Sequence, residues 1–189
     1  MVCRAVFSFK QQFFTKIGEY SSEYNSETRG KAFTAIAAEL KLLAEKGIIP
    51  QIDFYPNSVD YEVALFSAID ILEPSKNVTV WQLNSNGAIT RNGLVDCIMD
   101  AQTQKIFSIS IRSDRNWTQY DEGKIIQLWA EYLGTSTPES YEFTNQSVEN
   151  ATYYKQYALN GIDGEKTVIT VGYYEGIREF FIKITKIVV

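Results

Sequence analysis

An α+β fold, an antiparallel sheet of meander hairpins packed on one face by helices near 27–46 and 119–133, is predicted by three features of the sequence. Two segments place apolar residues at helical spacing, and most of the remainder alternates apolar with polar residues in short runs. Asn-Gly, Asp-Gly and Glu-Gly pairs separate those runs, as hairpins require. The runs form two blocks on either side of the second helix, and both fit a single interrupted sheet. With 189 residues, 45% hydrophobic and 22% charged, the chain has ordinary globular composition and the length of one domain.

The first strand signal is the alternation of Cys3, Ala5, Phe7 and Phe9 against Val2, Arg4, Val6 and Ser8, followed by a short helical turn around Phe13, Phe14 and Ile17. Helix 27–46 follows from Phe33, Ile36, Ala37, Leu40, Leu43 and Ala44, with Ser26 or Thr28 as its cap and Gly47 as its stop. Lys31, Glu39, Lys41, Glu45 and Lys46 form its polar face. Residues 58–72 fit two patterns, because Val59, Tyr61, Val63 and Leu65 alternate while Val59, Val63, Phe66 and Ile69 keep helical spacing. Ser58 as a cap and Pro74 as a stop favour the helix.

From residue 77 the pattern is a meander. The runs "VTVWQLN" and "AITR" flank Asn86-Gly87, and "LVDCIM" follows Asn92-Gly93. After the tight connection "DAQTQ", Phe107, Ile109 and Ile111 alternate against Ile106, Ser108, Ser110 and Arg112. Helix 119–133 follows from Ile125, Leu128, Trp129 and Tyr132, widened by Ile126 and Leu133. Thr118 and Asp121 begin it and Gly134 stops it. A polar, turn-rich stretch at 134–151 reads as a loop excursion. Three further strands, "TYYKQYAL", "KTVITVGYY" and "IREFFIKITKIVV", close the chain, the last with Phe180, Ile182 and Ile184 on one face. No internal repeat is evident.

The chemistry is bounded mainly by exclusion. Histidine is absent, which removes the catalytic triads and HExxH sites, and two cysteines do not make a Cys-rich zinc centre. No cofactor or metal motif occurs, and neither Asn-Gly pair has the spacing or the following helix of a phosphate loop. A net charge of −5 without a basic stripe disfavours nucleic acid. No integral membrane segment is expected, since the longest apolar run is broken by Arg178, Glu179, Lys183 and Lys186. The start lacks a signal-peptide pattern, so the chain reads as cytoplasmic as written, or as secreted or periplasmic if a signal has been removed. Oligomeric state is left open.

Cys97 shares a strand face with Val95 and Met99, has no cationic neighbour, and reads as a small core residue. The acidic residues Asp53, Asp60 with Glu62, Asp96 with Asp100, and Asp121 with Glu122 read as solvated surface unless two converge. The C-terminal tyrosines suit either a binding face or half-buried strand positions. Arg112, Asp114, Arg115, Trp117 and Tyr120 are the expected partner-binding group, because arginine and aromatic residues lie together between a strand and a helix. The competing reading is a salt-bridged connection with Trp117 buried on the sheet.

The function expected from this balance is non-catalytic protein binding by an antagonist, adaptor or immunity-type domain that covers a partner's functional surface. The alternatives are a carrier of small apolar ligands in a cavity between sheet and helix, and a histidine-free carboxylate-dependent enzyme.

Overall fold

The computed structural model describes residues 12–16, 25–52, 61–70, 78–85, 94–113, 121–135, 139–140, 153–160 and 165–188. Helix α1 spans Ser26–Glu45. Its cap is Asn25, one residue before the expected Ser26, because the Asn25 side chain reaches the Thr28 N–H at 2.8 Å. Thr28 Oγ1 in turn accepts from Asn25 N at 3.0 Å, which completes a reciprocal capping box. Helix α2 spans Glu122–Leu133 and is capped by Asp121, whose side chain accepts from Lys124 N at 3.1 Å.

Both helices end as the sequence predicts, on a glycine. Gly47 and Gly134 each adopt φ of +72°, and the residue after each donates back five positions, Ile48 to Leu43 and Thr135 to Ala130. An L-residue at that φ is strained even in open space. Gly134→Ala is therefore expected to lower stability by about 1–2 kcal/mol. Gly30 lies inside α1 with nothing near its would-be side chain, so Gly30→Ala is expected to raise stability by about 0.5–1 kcal/mol. Denaturant titration of the two variants checks the opposite signs, and a shift of the same sign in both would remove the backbone explanation.

Among the described residues nine strands form one sheet: β1 Gln12–Lys16, β2 Tyr61–Asp70, β3 Val78–Ser85, β4 Leu94–Asp100, β5 Ile106–Arg112, β6 Glu139–Ser140, β7 Tyr153–Asn160, β8 Glu165–Tyr174 and β9 Glu179–Val188. Their order is β1-β2-β3-β4-β5-β9-β8-β7-β6, with every neighbouring pair antiparallel. The α+β expectation is met. The strand β6 lies within the 134–151 stretch, and the other residues there that would test a loop excursion, 136–138 and 141–151, lie outside the described residues.

Two local expectations are corrected. Residues Tyr61–Asp70 are strand rather than helix, because β2 pairs with β1 on one side and β3 on the other. Those backbone partners are distant in sequence and override the local capping signals. The predicted helical turn at Phe13 and Phe14 is instead β1, paired with Ile69 and Ala68. The predicted first strand at residues 2–9 and the "AITR" strand lie outside the described residues.

A third correction concerns Ile106. Between Ile98 and Met99 the β4–β5 register slips, so that Ile98 faces Ser108 but Met99 faces Ile106. Phe107 is the extra residue of a β-bulge, which turns Ile106 onto the face of Ile109 and Ile111. Phe107 is buried but lies outside that core cluster.

The strand order contains a symmetry not evident in the sequence. The units α1-β2-β3-β4-β5 and α2-β6-β7-β8-β9 are each a helix followed by a four-stranded meander, and their last strands meet at the sheet centre. In topology the halves are related by a two-fold axis normal to the sheet between β5 and β9. Among the described residues the β5–β9 register runs over four pairs, from Ile109–Ile182 to Arg112–Glu179.

One sheet face packs on both helices. Ile36, Leu40 and Leu43 of α1 and Ile125, Trp129 and Leu133 of α2 join Leu65, Leu83, Cys97, Ile109, Ile169 and Ile182 in one buried cluster. A polar clasp ties the halves together over this core. The Tyr132 hydroxyl donates to Glu39 Oε2 at 2.6 Å and accepts from Ile106 N at 2.8 Å. Lys105 Nζ lies 3.3 Å from the same Glu39 oxygen and 4.4 Å from the centre of the Tyr132 ring. Burial and the Glu39 hydrogen bond hold the Tyr132 phenol well above its ordinary range.

Candidate functional site

The alternation that sends Ile109, Ile111, Phe180 and Ile182 into the core sends their neighbours to the opposite face, on which no helix packs among the described residues. Arg112 stands there at the end of β5, directly across from Glu179 of β9. Its Nε donates to Glu179 Oε2 in a short ion pair. The two partners differ in environment: the Glu179 side chain is 8% exposed and that of Arg112 is 48% exposed. A buried carboxylate thus anchors one edge of a guanidinium whose remaining donors reach solvent, and among the described residues they meet no acceptor.

Aromatic groups extend the site across β8 and β9. Tyr174 pairs with Glu179 on the side away from Arg112, and burial followed by the Glu179 charge raises its phenol pKa. Its ring lies 4.9 Å from that of Phe181, and Lys183 Nζ lies 4.7 Å from the Phe181 ring centre and 5.9 Å from that of Tyr174. In the next row Tyr154 of β7 faces Gly172 of β8, which faces Phe181. In this row Gly172 and Phe181 are buried, and Tyr154 is exposed.

Beyond Arg112 the chain is fixed to the β8–β9 turn, where Ser113 N donates to Arg178 O at 3.2 Å. That turn, Glu175–Ile177 followed by Arg178 at φ 50°, presents Ile177 at 51% exposure. Of the five predicted partner-binding residues, Arg112 is described and belongs to this face. Asp114, Arg115, Trp117 and Tyr120 lie outside the described residues.

The other groups singled out in the sequence have structural positions. Cys97 is 2% exposed in the main core, and burial followed by the Asp96 charge raises its thiol pKa. Such a thiol is not an activated nucleophile. Asp96 and Asp100 share a face of β4, four residues and therefore about 13 Å apart along the strand, too far to act as a dyad. Asp100 is 1% exposed, and its Oδ1 accepts from Gln102 N at 3.0 Å, Thr103 N at 2.5 Å and Thr103 Oγ1 at 2.8 Å. It organises the β4–β5 turn. Asp121 caps α2 and Glu122 pairs with Lys155 at 3.0 Å. Among the described residues no three His, Cys, Asp or Glu side chains gather as metal ligands. Asp53 and Asp60 lie outside the described residues.

The C-terminal tyrosines divide between the two faces of the sheet. Tyr173 is buried with the core and Tyr157 packs against it, while Tyr154 and Tyr174 are on the helix-free face. Glu179, Tyr174, Phe181 and Lys183 were not among the expected site residues. The available signal was Glu179 itself, a charge placed directly before Phe180, Phe181 and Ile182 in a strand whose both faces bury aromatics. No helix among the described residues is long and apolar enough to cross a membrane. Comparison of the chain with protein-family models, with curated proteins and with solved structures finds no match.

Proposed function

We propose that this chain is a non-catalytic protein-binding domain of the antagonist, adaptor or immunity type, and that it covers a partner's functional surface with the helix-free face around Arg112. The observation that supports this most is the Arg112–Glu179 pair, in which a buried carboxylate, flanked on its other side by Tyr174, holds a half-exposed guanidinium on the face that also carries exposed Tyr154. Arginine and tyrosine are the residue types that dominate interface energetics, because each combines large contact area with directed hydrogen bonds. Exposed Ile177 at the adjoining turn adds an apolar contact. The carrier reading has less support, since both helices pack their apolar side chains directly into the sheet core. The enzyme reading lacks convergence, since the described carboxylates Asp100, Asp121, Glu122 and Glu179 each hold a turn, a cap or an ion pair.

Capture of a stoichiometric protein from the native lysate, identified by mass spectrometry, is the expected result with the tagged chain. Tyr154→Ala, Arg115→Ala and Trp117→Ala should each weaken that complex about tenfold or more while leaving the far-ultraviolet spectrum unchanged. Unchanged affinity in all three folded variants, or a small molecule as the only stoichiometric companion, would overturn the reading.

A further inference from the structure

We draw no further inference here: the strongest candidate, the buried stretch of the helix-free sheet face at Val168, Thr170 and Phe181 of β8 and β9, carries none, because nothing among the described residues shows what covers it.

Discussion

Tyr132→Phe is expected to destabilise the protein by about 3 kcal/mol, although it removes a single oxygen. That oxygen accepts from the N–H of Ile106, a residue with no exposed surface, and donates to Glu39. Without it, a buried donor is stranded at about 1–3 kcal/mol, and a hydrogen bond to a charged acceptor worth about 1.5–3 kcal/mol is lost. Glu39→Gln should cost less, about 1 kcal/mol, because the amide oxygen still accepts from Tyr132 and only the Lys105 ion pair disappears. Urea unfolding of both variants tests the order, and Tyr132→Phe within 0.5 kcal/mol of the parent, about the noise of such series, would dismiss the clasp.

The same hydroxyl predicts a dependence on alkali. The Tyr132 pKa is raised in the folded protein, so above about pH 10 the unfolded chain releases its proton while the native one retains it. The unfolded state then binds fewer protons, and stability falls as pH rises. The slope approaches about 1.4 kcal/mol per pH unit for this residue, and below about pH 10 the contribution is fully retained. Tyr132→Phe should show a shallower decline between pH 10 and 11 than the parent, a comparison made within the alkaline window of an ordinary tyrosine.

Asp100→Ala is expected to cost a further large amount, about 3 kcal/mol. Asp100 Oδ1 collects two backbone N–H groups and a hydroxyl, which together fold back the 101–105 connection between β4 and β5. Charge-assisted bonds of this kind are stronger than neutral ones, and alanine leaves all three donors without their acceptor. Asp100→Asn keeps the Oδ1 position as an acceptor. Its amide nitrogen would take the place of Oδ2, which is buried without a partner among the described residues. The asparagine variant should therefore lose about 1–2 kcal/mol, chiefly because a neutral oxygen accepts less strongly. Equal melting points for the two variants would show that the turn does not depend on these bonds.

The parts of the fold written in adjacent residues were legible. Helices α1 and α2 announce themselves by apolar spacing and glycine stops, and the β4–β5 hairpin by alternation around a short polar connection. Strand β2 was not, because Ser58 and Pro74 resemble a helix cap and stop while its pairing with β1 and β3 is supplied from elsewhere in the chain. A single extra residue, Phe107, also defeated the alternation that placed Ile106 on the wrong face. In the site, Arg112 was singled out for its company in the sequence, whereas what gives it a fixed direction is Glu179, 67 residues away. Nothing local to Arg112 encodes that pairing.

The meeting of β5 and β9 at the middle of the sheet has a consequence for biosynthesis. A ribosome delivers the β2–β5 meander first and leaves the free edge of β5 waiting for a partner whose first residue lies 67 positions downstream of Arg112. At about 5–20 residues per second the wait is roughly 3–13 seconds, far longer than a hairpin takes to form. During that interval the nascent chain carries an unpaired strand edge through a crowded cytosol or export route. The order of synthesis therefore makes β5 the place where a chaperone, or a second nascent copy, has its opportunity.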